Sequence, residues 1–216
     1  MRKATTRLGL LAACIGVVGV LGAAGPTIAS AFANEFKLTS YPGEVLAHAT
    51  QEQVFTVEGG KLVCKKASFG PKTVSGASSE LHMSASYTEC EGIGSNGAKS
   101  PATVKMNECE YDFHAGSGTS PSKSVGTVDV VCPSGHEIEI TAATCTTKVP
   151  AQTGLASMEY ILLSSGKAEV IPLVKGIKYT TTSGLFCPLK GGTFSNGTYK
   201  GATEAEASVG GPITEV

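Results

Sequence analysis

The chain of 216 residues contains no tryptophan, and aromatic residues make up only 6% of it. It has two arginines, Arg2 and Arg7, so no arginine follows the first few residues. Arginine is the usual bidentate partner of phosphate and carboxylate groups, and tryptophan is a frequent anchor at interfaces. Both absences count mildly against a dedicated ligand-recognition surface, without excluding one.

The longest uncharged apolar run stands at the N-terminus. Met1–Arg7 carries three basic residues, Leu8–Gly25 carries no charge, and Ala31-Phe32-Ala33 forms an A-x-A cleavage pattern. This arrangement is typical of a secretory signal, so we predict a signal peptide over residues 1–33. No comparable run follows, and we expect a secreted, extracellular protein with no transmembrane segment after signal removal.

Cys14 raises the alternative of a lipid anchor. Leu11-Ala12-Ala13-Cys14 matches the pattern at which bacterial lipoproteins are cut and acylated. Only the short run from Leu8 to Ala13 would then remain as the signal core, which is less than the roughly 7–15 apolar residues that such a core needs. We therefore expect export without a lipid anchor at Cys14.

The balance of charge becomes acidic once the signal is removed. Three basic residues and no acidic residue leave with it, which takes the net charge from −1 to −4. A chain of this charge is a poor partner for nucleic acid or for an anionic membrane. We expect a cell-wall or other extracellular partner instead.

Six of the seven cysteines lie beyond the signal. They are Cys64, Cys90, Cys109, Cys132, Cys145 and Cys187. An even number of cysteines in an exported chain favours disulfides over metal binding or catalysis, and no C-x-x-C pair is present. We expect three disulfides, whose connectivity has to follow from the strand pattern.

The stretch between Cys109 and Cys132 predicts a hairpin. Apolar and polar residues alternate with period two in Cys109–His114 and in Thr127–Cys132. The segment between them, Gly116–Lys123, has the composition of a loop. When the two cysteines face each other, the apolar side chains fall on one face and the polar ones on the other. A slip of one residue would destroy that sorting, so we predict a disulfide between these cysteines.

The same argument pairs Cys64 with Cys90 across the turn-rich stretch Gly70–Ser79. Cys145 and Cys187 then remain to pair by elimination. The predicted connectivity is therefore three disulfides, two of them across hairpins.

The rest of the chain predicts short strands separated by turns. The β-like runs are Gln53–Val57, Lys61–Phe69, Leu81–Tyr87, Ala102–Met106, Glu137–Thr141, Ser157–Leu163, Glu169–Val174, Ile177–Thr182 and Thr193–Lys200. Asn96-Gly97 and Asn196-Gly197 carry turn signals, and Thr203–Val216 is expected to be a frayed end or a last edge strand. We predict a single all-β domain over residues 34–216, an antiparallel β-sandwich or open barrel stapled by three disulfides.

Three segments carry a family resemblance: Met106-Asn107-x-Cys109-x-Tyr111-x-Phe113, Val128-Asp129-Val130-Val131-Cys132-Pro133-x-Gly135-x-x-Ile138-x-Ile140 and Asn196-Gly197-Thr198-Tyr199-x-Gly201. They resemble a group of exported proteins of soil actinobacteria of the Solirubrobacter type, from about Val54 to Gly201. The resemblance implies a bacterial cell-surface or extracellular setting. It implies no activity and carries over no catalytic or binding residue.

The two aspartates of the chain, Asp112 and Asp129, lie opposite each other in the predicted hairpin, with Glu110 and His114 on the same face. Facing carboxylates repel each other unless they share a proton, stay in water or hold a cation. Asp112, Asp129 and Glu110 therefore form a candidate site for a hard cation such as calcium. The alternative is a solvated acidic face without a cofactor, because the dense ligand spacing of calcium loops is missing.

Three functions stay open. We expect a secreted, non-catalytic extracellular or cell-surface β module. The first alternative is a secreted hydrolase that uses a Ser or Thr nucleophile with His114, although the chain has no G-x-S-x-G elbow. The second alternative is a calcium-dependent binding module.

Overall fold

The computed structural model describes residues 35–216 apart from positions 121, 186 and 188. The signal peptide predicted over residues 1–33 and the lipid-anchor position Cys14 lie outside the described residues. Within this described part, no helix is long and apolar enough to span a bilayer.

The described residues form sixteen β-strands and no helix, which confirms the prediction of an all-β structure. The strands are β1 (Lys37–Leu38), β2 (Gly43–Ala49), β3 (Gln53–Val57), β4 (Gly60–Val74), β5 (Glu80–Met83), β6 (Ala85–Gly94), β7 (Lys99–Lys105), β8 (Glu110–Ser120), β9 (Lys123–Val131), β10 (Ile138–Ala142), β11 (Cys145–Val149), β12 (Gln152–Leu162), β13 (Ala168–Ser183), β14 (Gly192–Lys200), β15 (Thr203–Val209) and β16 (Ile213–Glu215). Every predicted run overlaps one or two of these strands.

Fourteen of these strands make up eight long ones. β4 and β13 are long by themselves, and the other six consist of two consecutive strands that run along the same neighbour. β2 and β3 together lie along β4, from Gly43 opposite Val74 to Val57 opposite Gly60. Five further pairs each act as one long strand in the same way. They are β5 with β6, β7 with β8, β9 with β10, β11 with β12, and β14 with β15. Each long strand is antiparallel to the next one in the chain.

The last long strand pairs with the first, so the sheet closes on itself. Thr198 of β14 lies opposite Thr56 of β3, and Thr203 of β15 lies opposite Ala49 of β2. The antiparallel arrangement is as predicted, and the structure adds this closure. The interior of a closed sheet of eight strands is either filled by side chains or holds one small ligand.

The structure confirms the predicted disulfides, which are Cys64–Cys90, Cys109–Cys132 and Cys145–Cys187. It also confirms the register of the central hairpin, in which Tyr111 lies opposite Val130 and Asp112 lies opposite Asp129. The alternating pattern and the two cysteines specify this register together, because a shift by one residue would bury the charged face.

Three local predictions are wrong in whole or in part. The segment Gly116–Lys123 is not a loop, because β8 continues to Ser120 with register shifts that accommodate its small residues. Asn196-Gly197 is not a turn but lies inside β14, whereas Asn96-Gly97 does form one, with the Gly97 N–H donating to the Gly94 carbonyl at 2.9 Å. The stretch Thr203–Val216 is an edge strand only at its end: β15 pairs with β2 on one side and with β13 on the other, whereas β16 pairs with β1 alone among the described residues.

The interior holds two clusters of buried apolar side chains. Tyr87, Tyr111 and Phe113 pack against both clusters and so connect them. The separate pair of strands β1 and β16 contributes Leu38 and Ile213 to the second cluster. The terminal strands therefore pack on the interior of the closed sheet.

Candidate functional site

Strands β5, β8 and β9 lie side by side and carry charged side chains on their outward faces. Side chains alternate between the two faces of a strand, and the pairings bring these residues together: His82 lies opposite Asp112, Glu80 opposite His114, and Asp112 opposite Asp129. We call these five residues the outer cluster. Three of its members, Asp112, His114 and Asp129, were singled out from the sequence.

His114 connects two carboxylates of the outer cluster. Its Nε2 lies 3.2 Å from Asp129 Oδ2, and its Nδ1 lies 3.5 Å from Glu80 Oε1. The other oxygen of Asp129 accepts a hydrogen bond from the Gly154 N–H at 2.6 Å, which fixes this carboxylate. Both nitrogens of His114 thus face carboxylates, which leaves neither one placed to take a proton from a Ser or Thr nucleophile.

Asp112 is the buried member of the outer cluster, with 7% of its surface exposed. Its Oδ1 has no hydrogen-bond partner among the described residues, although His82 Nδ1 lies 3.3 Å away without hydrogen-bond geometry. Burial raises the pKa of Asp112, and the neighbouring charges of His82 and His114 oppose that rise. A buried carboxylate without a hydrogen bond is unfavourable, so a bound cation would stabilise it.

The predicted calcium site is assembled only in part. Asp112 and Asp129 face each other as predicted, and Glu110 lies on the same face of β8. The ion pairs of the two aspartates, however, are with His82 and His114. Calcium at Asp112, Asp129 and Glu110 stays a prediction, and imidazole neighbours make the site less suited to a hard cation.

Glu80 and His82 are the members that the sequence analysis missed. They come from β5, which pairs with β8 from about thirty residues away in the chain. A signal was nevertheless present, because Glu80-x-His82 repeats the acid-x-His spacing of Asp112-x-His114.

Glycine allows β8 and β9 to approach each other closely beside the outer cluster. A Cβ at Gly126 would overlap the carbonyl oxygen of His114, and a Cβ at Gly116 would overlap the carbonyl of Val125. The ladder shifts its register between His114 and Ser117 at this point. Bulges of this kind redirect side chains next to functional sites, and here they adjoin His114.

An apolar cavity of about 150 Å³ also lies among the side chains of the closed sheet. Apolar side chains from most of the long strands line it, among them Val128, Met158, Ala168, Val174 and Ala205. A dry apolar cavity of about 150 Å³ is large enough to take up benzene. The cavity is therefore a second candidate site, which the sequence analysis did not predict.

A hydrogen-bonded group of polar side chains forms one part of the cavity wall. The Tyr87 hydroxyl donates to Tyr111 at 3.1 Å and lies 3.3 Å from the Tyr199 hydroxyl. Tyr199 in turn donates to Gln53 Oε1 at 2.6 Å. We call Tyr87, Tyr111 and Tyr199 the tyrosine cluster, and burial raises the pKa of all three.

Tyr160 lines the same cavity and differs from the tyrosine cluster in one respect. Its ring is buried and packs edge-on against Phe36 at 5.2 Å between centroids. Its hydroxyl has no hydrogen-bond partner among the described residues. Burial and the charge of Asp112 raise the pKa of Tyr160, so the hydroxyl stays protonated and is a buried donor without an acceptor.

The cavity reaches a place where two long strands separate. The ladder between β4 and β6 runs to Phe69 opposite Ala85, and the Gly70 N–H then donates to the Ser84 carbonyl at 2.9 Å. Beyond that bond, β5 forms its ladder with β8 and none with β4 in the described chain. Ser78, which precedes β5, forms an isolated antiparallel bridge with Phe36, and both residues line the cavity.

No protein-family model, no curated protein and no solved structure matches this chain. The resemblance to exported actinobacterial proteins stays a prediction and provides no site residue. The outer cluster and the cavity are therefore the two features from which a function can be inferred.

Proposed function

We propose that this chain is an exported, non-catalytic binding module that holds a small, mostly apolar molecule inside its closed sheet. The observation that carries this proposal is the apolar cavity, whose lining residues include Tyr160, a buried tyrosine with a hydroxyl that has no hydrogen-bond partner among the described residues. Pockets for small molecules are mostly apolar with a few polar groups that fix the orientation of the ligand. The cavity has this composition.

The size and polarity of the cavity define the class of ligand. A volume of about 150 Å³ suits a molecule close to a single substituted aromatic ring. The hydroxyls of the tyrosine cluster each have a hydrogen-bond partner within the cluster or at Gln53, whereas the Tyr160 hydroxyl has none among the described residues. We infer a small aromatic or branched aliphatic ligand with one oxygen that accepts a hydrogen bond from the Tyr160 hydroxyl.

The setting outside the cell belongs to the same proposal. Three disulfides are typical of proteins in oxidising compartments, and the predicted signal peptide agrees with export. A cell-wall or other extracellular partner is part of this proposal. The hydrolase alternative has less support, because both nitrogens of His114 face carboxylates.

Binding of p-cresol and toluene to the full, oxidised chain tests the proposal. Both probes match the cavity in size, and only p-cresol carries a hydroxyl. Because a ligand that binds the native state stabilises it, we expect both probes to raise the melting temperature and p-cresol to raise it more. Tyr160→Phe should reduce the rise in melting temperature caused by p-cresol to the rise caused by toluene. Tyr41→Phe, outside the cavity lining, should leave the rise caused by each probe unchanged.

Cavity-filling variants distinguish interior binding from surface binding. Ala168 and Ala205 both line the cavity, so Ala168→Leu and the milder Ala205→Val should abolish or weaken binding of both probes. The melting temperature of each unliganded variant shows whether it folds. The proposal is wrong if neither probe stabilises the chain, or if both probes bind these folded variants as well as they bind the parent chain.

A further inference from the structure

The outer cluster contains three donor groups in an arrangement that fits a metal ion. We propose that Glu80, His82 and Asp112 form a binding site for a divalent transition metal, with zinc as its typical occupant. One ligand atom of each residue lies within 4.8 Å of the others. Three protein ligands and one open position for water are a common arrangement around zinc.

Asp112 provides an observation independent of this grouping. It is more than nine-tenths buried, and its Oδ1 points to His82 Nδ1 without any hydrogen bond in the described part of the chain. Buried polar atoms are nearly always hydrogen-bonded, so this oxygen would be stabilised by a hydrogen-bond donor or a cation. A cation between Asp112 and His82 supplies this stabilisation and neutralises the buried charge.

The strand geometry presents the three ligands on one face. Glu80 and His82 are two residues apart on β5, so both point outward from it, and His82 lies directly opposite Asp112 on β8. A substantial part of the Glu80 and His82 side chains is exposed. A metal ion can therefore reach the two outer ligands from solvent and then engage the buried carboxylate.

The ligand chemistry favours zinc over calcium. Imidazole nitrogen suits zinc and neighbouring transition metals, whereas calcium takes six to eight oxygen ligands. The site offers one imidazole and two carboxylates. This proposal therefore differs from the predicted calcium site, which consists of Asp112, Asp129 and Glu110.

A second layer of contacts holds Glu80 in position. His114 lies 3.5 Å from Glu80 Oε1 on one side and 3.2 Å from Asp129 Oδ2 on the other. Asp129 is fixed in turn by the Gly154 N–H at 2.6 Å. Supporting partners of this kind orient metal ligands and tune their affinity, so His114 and Asp129 are positioning residues here.

Calorimetric titration of the full, oxidised chain with zinc chloride tests the proposal, after Cys14 is alkylated so that its thiol does not bind zinc. We expect one zinc ion per chain and a higher melting temperature, with no comparable effect of calcium chloride. His82→Gln and Glu80→Gln should each weaken zinc binding at least tenfold. Both side chains are about half exposed, so neither change threatens the fold.

His136→Gln is the matched control, because His136 also lies beside a carboxylate, that of Glu108 at 3.4 Å. It should leave zinc binding unchanged. In the parent chain, zinc should shift the imidazole nitrogen resonances of His82 and leave those of His136 in place. Absence of zinc binding, or binding that His82→Gln and Glu80→Gln do not weaken, would overturn the proposal. Calcium binding that Glu110→Gln removes would overturn it in favour of the acidic calcium site.

Discussion

Replacement of Tyr199 by Phe tests the polar wall of the cavity. Tyr199 donates to Gln53 Oε1 at 2.6 Å, and Gln53 is 2% exposed. The amide nitrogen of Gln53 is held by the carbonyls of Gln51 at 2.9 Å and Ala202 at 3.0 Å. The amide therefore cannot turn to satisfy its oxygen elsewhere without losing these two bonds.

Loss of the Tyr199 hydroxyl consequently leaves a buried acceptor without a donor. An unsatisfied buried polar group costs about 1–3 kcal/mol, so we expect Tyr199→Phe to destabilise the chain by about 2 kcal/mol. Tyr111→Phe removes only one acceptor of the Tyr87 hydroxyl. The Tyr199 hydroxyl, 3.3 Å from that of Tyr87, remains as a second partner. We expect this second variant to cost about 1 kcal/mol, within the range of an ordinary hydrogen bond.

Equilibrium unfolding in denaturant, with the disulfides intact, measures both variants. A domain of this size loses about 2–4 °C of melting temperature per kcal/mol, so Tyr199→Phe should melt about 4–8 °C below the parent chain and Tyr111→Phe about half as far below. Equal destabilisation by Tyr111→Phe and Tyr199→Phe, or no destabilisation by Tyr199→Phe, would be inconsistent with these hydrogen bonds. Either result would mean that Gln53 does not depend on Tyr199.

Three further predictions concern the strands, a disulfide and pH. Gly126→Ala should destabilise the chain by about 2 kcal/mol or more by overpacking against the His114 backbone. Gly76→Ala, with open space around it, should be nearly neutral. Equal melting temperatures of the two variants would contradict this prediction. Replacing Cys64 and Cys90 by Ala opens a loop with a sequence separation of 26, which should cost about 3–4 kcal/mol in denaturant unfolding, and a loss below about 1 kcal/mol would be inconsistent with that model. Because burial raises the pKa of the tyrosine cluster above 10.0, its contribution to stability should be complete below about pH 10 and fall as the pH rises further. Tyrosine absorbance at 295 nm should then change together with unfolding, and ionisation of the whole tyrosine set before unfolding would contradict the assignment.

The central hairpin was predictable because its information is local. The stretch from Cys109 to Cys132 contains two alternating runs and a cysteine at each end, so a single register satisfies both constraints. The Cys64–Cys90 disulfide follows from the same logic. The strand β15 was misjudged because its short, small and acidic side chains resemble a solvated end, although it pairs on both sides.

The closure of the sheet and the outer cluster were not predictable in the same way. Both depend on strand pairs that are distant in the chain: β14 and β15 with β2 and β3, and β5 with β8. Pairings of this kind follow from the topology as a whole rather than from any local pattern. The cavity is harder still to predict from the sequence, because it is the space left between side chains from many strands.

A crystal structure of the full, oxidised chain soaked with p-cresol would show the ligand in place. We expect density for one p-cresol molecule inside the closed sheet, in contact with Val128 and Met158, with its oxygen within hydrogen-bond distance of the Tyr160 hydroxyl. Density confined to the outer surface, or an interior in which side chains have closed the cavity, would contradict the claim that this chain holds a small apolar ligand.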